Sequence, residues 1–276
     1  MIINPNISET ISEETPGDAL AIVTAFNNRK LDILVLKDVP ARGFYTNSTA
    51  YGAYLKNVEF SDDVKRIERE GFASQANAQL YDFNKIEYLG SKALTSTSIT
   101  TPIMDNVKTI DGGVFINCGS LLELNLPAIE TLYGVGSATT TFSGCKALEK
   151  VTLGENIKII GDSTLNLRVF SGNSNLTTIH LPASLEAISS AAFYSCVNLT
   201  NVTVGEGFNC ALNLGSCGDL TLESLENIVG NYADNSGKKL TVTSSTYSLA
   251  TDTLFTGSEL TIAEYASAKG LTIASA

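Results

Sequence analysis

One short pattern recurs along the 276-residue chain, and it constrains the fold more than any other feature. Written with its spacings, the unit is I-x(4)-F-x(2)-C-x(2)-L-x(2)-L-x-L. The clearest copies are Ile188, Phe193, Cys196, Leu199, Val202, Val204 and Ile110, Phe115, Cys118, Leu121, Leu124, Leu126. Two others, with extra residues before the phenylalanine, are Leu132, Phe142, Cys145, Leu148, Val151, Leu153 and Ile160, Phe170, Asn173, Leu176, Ile179, Leu181. Such repetition predicts a solenoid of stacked units.

Weaker copies extend the array toward the N-terminus. One comprises Ile67, Phe72, Gln75, Ala78, Tyr81 and Phe83, and another lies around Leu89 and Leu94. The anchor positions 72, 94, 115, 142, 170 and 193 are 22, 21, 27, 28 and 23 residues apart. We therefore predict a right-handed coil of parallel strands over residues 58–208, in which Phe115, Phe142, Phe170 and Phe193 form a buried stacked column.

Each unit can be divided by its periodicity. The closing L-x(2)-L-x-L alternates with a period of two, so that Leu124 and Leu126 point inward and Asn125 points outward from a short strand. A V-x(2)-I segment follows, as at Val107/Ile110, and predicts a shorter extended stretch on the opposite side of the coil. The residues before each phenylalanine predict a turn of helix.

The pattern IxxxAFxxCxxLxxVxL resembles the BspA-type leucine-rich repeat of bacterial surface and secreted proteins, and the match covers roughly residues 58–208. The resemblance implies a leucine-rich-repeat α/β fold, adhesion or host-protein binding, and a secreted or cell-surface location. It supplies no catalytic residues. Met1–Thr10 contains no basic segment followed by an apolar one, so no signal peptide is visible in the sequence.

The flanks differ from the repeats, and we expect three regions. Residues 1–57 contain a helix around Pro16–Asn28 and an apolar strand at Leu31–Val39, as an N-terminal cap or small module. Residues 58–220 are the solenoid, and residues 221–276 are an α/β capping segment. In the last region we predict a helix capped by Thr221, a strand at Lys239–Thr243, a helix near Ser258–Lys269 and a strand at Leu271–Ile273.

Charge and cysteine usage exclude several classes of function. The net charge of −11 is spread along the chain, with 11 acidic to 8 basic residues in 1–70, 12 to 7 in 71–220 and 6 to 3 in 221–276, which argues against nucleic-acid binding. No apolar run is long enough to span a membrane. Cys118, Cys145 and Cys196 share one repeat position and are expected as buried free thiols, while Cys210 and Cys217 could pair. We expect no metal site and no cofactor.

The outward residues of the strands are the candidate binding surface. They mix hydroxyls, amides and both signs of charge, which suits a polar protein or glycan partner on a host or neighbouring cell. The candidate residues are Asp82, Glu123, Asn125, Lys150, Thr152, Thr178, His180, Asn201 and Thr203. We therefore expect a non-catalytic scaffold for binding and adhesion.

Two other functions stay open at this stage. A phage or prophage protein could use the same surface for host recognition or structure. A carbohydrate-active enzyme on a parallel coil would need two facing carboxylates, for which only Asp82 and Glu123 qualify, about 10 Å apart if coils stack at the strand spacing. His180, the only histidine, is expected on an outward strand position rather than in a catalytic pair.

Overall fold

The computed structural model describes residues 9–11, 33–36, 57–60, 65–67, 69–74, 82–133, 141–161, 167–234 and 236–276. Within these ranges the chain winds as stacked coils with parallel strands on two opposite sides. The core lies between the two sides and consists of the inward residues of every coil. A leucine-rich-repeat fold of short parallel strands, as predicted, is confirmed.

The longer strands form what we call the front sheet. Its four parallel strands are β7 Glu123–Leu126, β9 Lys150–Leu153, β11 Thr178–Leu181 and β13 Asn201–Val204, which lie side by side in chain order. Outward residues alternate with buried ones along each strand, which confirms the period of two read from the sequence. The outward side of this sheet is the front face.

Two-residue strands form the back sheet on the opposite side of the coils. They are β4 Arg66–Ile67, β5 Tyr88–Leu89, β6 Thr109–Ile110, β8 Thr131–Leu132, β10 Ile159–Ile160 and β12 Ala187–Ile188, again parallel and in chain order. In each strand the first residue is half-buried and the second is buried. The shorter extended stretch predicted from V-x(2)-I is confirmed.

The phenylalanines of successive coils stack as predicted. Ring centroids are 5.2 Å apart for Phe115 and Phe142, 5.0 Å for Phe142 and Phe170, and 5.4 Å for Phe170 and Phe193, with the ring planes within 6° of parallel. All four side chains are buried. The stacking fixes the vertical alignment of the coils in the middle of the array.

Where the structure describes the residues before the phenylalanine, as at Phe115 and Phe193, the predicted turn of helix is wrong. These residues form tight turns, and the described part of residues 65–220 contains no helix. The reason is that the backbone N–H groups of Phe115 and Asn117 donate to the carbonyls of Thr141 and Ser143 on the next coil, at 3.0 and 2.6 Å. Donors used between coils are not free for bonds along a helix, and Asn117 adopts a positive φ of 58° that a helix does not allow.

Four cysteines line up beside the phenylalanine column. The thiols of Cys118, Cys145, Cys196 and Cys217 donate to the carbonyls of Leu94, Phe115, Phe170 and Phe193 on the preceding coils, at 3.0, 2.9, 3.0 and 3.3 Å. All five cysteines are buried and free, so the expected buried thiols are confirmed and Cys210 and Cys217 are not paired. Burial raises the pKa of Cys196 and of Cys217 to about 12, which keeps both thiols protonated as donors.

The coil that carries Asn173 interrupts this column. Asn173 takes the cysteine position, and its amide Nδ2 donates to the carbonyl of Phe170 in its own coil at 2.7 Å. Its Oδ1 is buried without a hydrogen-bond partner among the described residues. One coil of the interior therefore contains a polar atom that the cysteine-bearing coils avoid.

The described residues of the C-terminal segment, 221–276, form three helices, and its strands join a parallel sheet that begins before residue 221. The helices are α1 Leu222–Asn231, α2 Ser244–Asp252 and α3 Ile262–Ala268, and the sheet contains β14 Leu212–Asn213, β15 Lys239–Val242 and β16 Thr272–Ser275. The predicted helix capped by Thr221 is confirmed. The other predicted helix begins later, at Ile262, and α2 was not predicted.

Near the N-terminus three strands pair in parallel: β1 Glu9–Ile11, β2 Ile33–Leu36 and β3 Asn57–Phe60. The predicted strand at Leu31–Val39 is confirmed with shorter bounds, and the predicted helix at Pro16–Asn28 lies outside the described residues. Ile11 pairs with Leu36 and Leu36 with Phe60, steps of 25 and 24 residues that equal the length of a coil. The division of the chain at residues 57 and 220 stays a prediction.

Candidate functional site

The front sheet brings most of the predicted binding residues onto one surface. Strand pairing places Glu123 beside Lys150, Lys150 beside Thr178, and Thr178 beside Asn201 in a first column. A second column contains Asn125 beside Thr152 and His180 beside Thr203. All of these side chains are exposed except that of Thr203, which is half-buried.

Asp82 is the predicted residue that the front sheet does not include. It lies outside any strand, and its carboxylate accepts a hydrogen bond from the backbone N–H of Asn84 at 2.9 Å. A complete coil, with Ile103 facing Asn125 through a single parallel bridge, separates it from Glu123. The two carboxylates therefore do not lie on adjacent strands of the front sheet.

Ile103 is a front-face residue that the sequence pattern missed. It is 61% exposed and extends the second column by one coil beyond Asn125. Its coil is one residue shorter than the next, since Leu94 to Met104 spans 10 steps where Phe115 to Leu126 spans 11. The shortened spacing hid the strand position from a pattern with fixed offsets.

An open pocket of about 380 Å³ lies in the middle of the front face. It is lined by residues of three adjacent coils: Glu123, Glu149, Lys150, Val151, Thr152, Thr177, Thr178, Ile179 and His180. Three of these residues are threonines with hydroxyl groups, and two are glutamates with carboxylates. Glu149 and Thr177, which precede their strands, were not among the predicted residues because the sequence pattern does not show which side chains lean over a neighbouring coil.

His180 is held in place by neighbours on both sides. Its Nδ1 is 2.9 Å from the hydroxyl of Thr203 on the next strand. Its Nε2 is 4.0 Å from a carboxylate oxygen of Glu155, which is an electrostatic contact too long for a hydrogen bond. These two contacts orient the imidazole at the edge of the pocket.

The back sheet carries a column of charges that sequence analysis missed. The residue before each two-residue strand is, in order, Lys65, Glu87, Lys108, Glu130, Lys158 and Glu186, so that the sign of the charge alternates from coil to coil. The backbone N–H of each of these residues after Lys65 donates a hydrogen bond to the carbonyl of the corresponding residue on the preceding coil, at 2.7 to 2.9 Å. We call this set the back column.

Ion pairs within the back column couple neighbouring coils. Lys108 lies 2.8 Å from Glu87, Lys65 lies 3.8 Å from the same carboxylate, and Lys158 lies 3.1 Å from Glu186. The hydrogen bond from Lys108 lowers the pKa of Glu87 and in return raises the pKa of Lys108. Because like charges on adjacent strands repel, the alternation also disfavours a slip of one coil past another.

Helix α1 covers the C-terminal edge of the front sheet. The hydroxyl of Ser224 donates to the carbonyl of Val202 at 2.6 Å and accepts from its N–H at 2.8 Å. Asn227 accepts from the N–H of Val204 at 2.9 Å, and Asn231 donates to the carbonyl of Val204 at 3.3 Å. Side chains thus occupy the backbone groups that another strand would use, so the edge β13 is closed and the outward face of the sheet is left as the open surface.

Neither a membrane-spanning helix nor a metal site is present in the part of the chain that the structure describes. Within those residues no helix is both long and apolar enough to cross a membrane. The same residues contain no group of three or more histidine, cysteine, aspartate or glutamate side chains arranged to hold a metal ion.

Several solved structures are similar to the chain. A leucine-rich repeat protein from Bacteroides ovatus is 20% identical with a TM-score of 0.41, over 75% of this chain and 55% of that one. The pneumococcal vaccine antigen PcpA is 17% identical with a TM-score of 0.36, over 90% and 68%. A leucine rich cell surface protein from Faecalibacterium prausnitzii is 18% identical with a TM-score of 0.38, over 74% and 64%. The chain thus spans little more than half the length of the first of these proteins.

No protein of curated function is detectably similar to the chain. The model of the BspA type leucine rich repeat region matches it in six copies, over residues 44–166 and 138–261. These ranges include the front sheet, the back column and most of the C-terminal segment. With its repeats, parallel coils and buried phenylalanine and cysteine columns, the chain belongs to the BspA-type leucine-rich-repeat family.

Proposed function

We propose that the front face is a non-catalytic binding surface through which the protein engages a polar partner, a protein or a glycan, at the bacterial cell surface. The observation that carries this proposal is that the charged residues around the pocket on that face make no ion pairs among the described residues. Glu123, Glu149 and Lys150 surround a pocket of about 380 Å³ and make no ion pair within 4.0 Å among the described residues. Charged groups that do not stabilise the fold are available to a partner.

Rigidity of the scaffold supports the same proposal. Each front strand is buried on its inward side and paired with its neighbours on both edges or closed by α1, so the outward side chains are held at fixed spacings. A preorganised surface loses little conformational entropy when a partner binds. The family membership and the cell-surface protein among the similar structures are consistent with a location outside the cell.

The proposal is tested by a bulky uncharged substitution in the pocket. Thr178 is exposed on the central strand β11, so Thr178→Tyr fills the pocket without altering charge or core packing. Partners are first identified on arrays of extracellular proteins and glycans, and their affinities are then measured for both forms. We expect the substitution to weaken binding by about tenfold or more, as for a blocked interface centre.

The matched control is Thr272→Tyr. Thr272 is also an exposed strand residue, but it lies on β16 in the C-terminal sheet. This variant should bind as the unmodified protein does, and both variants should keep the original melting temperature. Equal binding by the folded Thr178→Tyr variant and the unmodified protein would move the binding surface away from the front face.

A further inference from the structure

The front and back of the solenoid differ in their balance of charge. The exposed front-face residues of the coils spanning 100–206 include the residue before each strand and the two-residue turn after it. Five carboxylates lie there, and Lys150 is the one ammonium group among these described residues: the acidic residues are Asp105, Glu123, Glu149, Glu155 and Glu206. Within the same residues, 100–206, the back column contains two acidic residues, Glu130 and Glu186, and two basic ones, Lys108 and Lys158. The acidic excess of this part of the chain is therefore placed on the front.

The two sets of charges also differ in how they are neutralised. The back column compensates its own charges through ion pairs at 2.8 and 3.1 Å. On the front, the one ion pair recorded among the described residues is the 4.0 Å contact between Glu155 and His180, and it requires a protonated imidazole. Most front-face carboxylates are thus exposed to solvent without a cation beside them, and their negative electrostatic potential extends outward from the face.

The pocket adds shape to this field. Glu123 and Glu149 stand beside it, while Thr152, Thr177 and Thr178 supply hydroxyls that can donate to or accept from a peptide backbone. Its lining contains no phenylalanine, tyrosine or tryptophan, so it lacks the broad apolar ring on which a sugar would stack. Carboxylates with hydroxyls between them suit an extended polypeptide that presents lysine or arginine side chains.

We propose that the partner of the front face is a basic polypeptide segment, whose cationic side chains pair with Glu123, Glu149 and Glu155. This inference rests on the proposed function and narrows it from any polar partner to one chemistry. Lys150 is the exception on the surface, since its ammonium repels a cationic partner at one point. Removing the charge of Lys150 should therefore strengthen binding of a cationic partner, whereas removing the carboxylates should weaken it.

A fluorescein-labelled oligolysine peptide serves as the probe, with oligoglutamate and an uncharged glycine–serine peptide as comparisons. Fluorescence anisotropy at low ionic strength measures Kd for the full chain. We expect saturable binding of oligolysine alone among the three. Glu123→Gln with Glu149→Gln should weaken it by about fivefold, as expected for two solvent-exposed charge pairs, and Lys150→Gln should strengthen it by about twofold.

The matched control changes the same net charge elsewhere. Asp252→Asn with Glu259→Gln removes two exposed carboxylates of the C-terminal segment and should change Kd by less than about twofold. Failure of oligolysine to bind, equal weakening by the two double variants, or weakening by Lys150→Gln would each overturn the inference. If an array partner is lost on Thr178→Tyr while oligolysine does not bind, the proposed function stands and the basic segment is wrong. If Thr178→Tyr leaves the array partner bound, the proposed function itself is wrong.

Discussion

The front and back sheets are built from the same coils, yet their polar residues have different roles. On the back, the two-residue strands are preceded by charges that alternate from Lys65 to Glu186, and neighbouring coils neutralise one another. On the front, the longer strands present carboxylates, hydroxyls and amides that find few partners within the chain. The comparison separates polar residues that hold the stack together from polar residues that are left for binding.

Both sheets depend on the phenylalanine column between them, so the largest effect is expected there. Phe170 stacks on Phe142 and Phe193 and is fully buried. Phe170→Ala should lower the free energy of unfolding by about 3–5 kcal/mol. Tyr194→Ala is the control, because Tyr194 is 48% exposed and contacts Arg168 at the surface, and it should cost less than about 1 kcal/mol. Similar losses in chemical denaturation would show that the column does not support the two faces.

The next largest effect is expected for substitution of Asn173, which should raise the free energy of unfolding and not lower it. A cysteine at this position could donate to the carbonyl of Phe142, as the thiols of Cys145 and Cys196 do to theirs, and the unpaired Oδ1 would be gone. Asn173→Cys should therefore stabilise the chain by about 1–2 kcal/mol in the presence of a reductant. Asn198→Cys, at an exposed residue whose amide already has a partner, should not stabilise it. A destabilised Asn173→Cys variant would mean that the cysteine column does not favour thiols.

A matched pair of lysines tests the comparison of the sheets directly. Lys108 on the back pairs with Glu87, whereas Lys150 on the front has no ion pair among the described residues. Lys108→Gln should lower Tm by about 1–3 °C and Lys150→Gln by less than about 1 °C. High salt should reduce the difference, because it screens exposed charges. Equal shifts of Tm at low salt would contradict the structural role given to the back column.

Acid should affect stability through the back rather than the front, and this is the smallest expected effect. The folded-state pKa of Glu87 lies below its usual 4.5, because Lys108 donates to the carboxylate. A lowered carboxyl pKa stabilises the fold above the unfolded pKa, and this contribution is lost as pH falls through the folded value. Tm measured from pH 6 to pH 3 should therefore fall less steeply for Lys108→Gln than for the unmodified protein. Lys150→Gln should leave the slope unchanged, and an unchanged slope in Lys108→Gln would contradict the assignment.

The sequence was most informative where a residue type repeats at one position of the coil. The phenylalanine column, the buried cysteines and the alternating strands could be predicted because each depends on burial, which recurs with every unit. Ile103 was missed because its coil is one residue short. The back column is visible in the sequence, but only once the structure shows that the residues before the V-x(2)-I strands are stacked.

Other features depend on contacts between coils and could not be read from one chain segment. The segments before the phenylalanines looked helical, but the N–H groups of Phe115, Phe142 and Phe170 donate to the next coil. The closure of β13 by Ser224, Asn227 and Asn231 requires the helix to lie across a strand edge. The pocket depends on how Glu149 and Thr177 are placed relative to a neighbouring strand, which no spacing in the sequence specifies.

The central claim is that partners bind to the front face and not to the back. Carboxyl footprinting by carbodiimide labelling and mass spectrometry measures this directly, with and without a partner identified on the arrays. Labelling of Glu123, Glu149 and Glu155 should slow when the partner is bound, while Glu130 and Glu186 on the back column should be labelled at unchanged rates. Protection of the back column, with the front carboxylates labelled as before, would contradict the account.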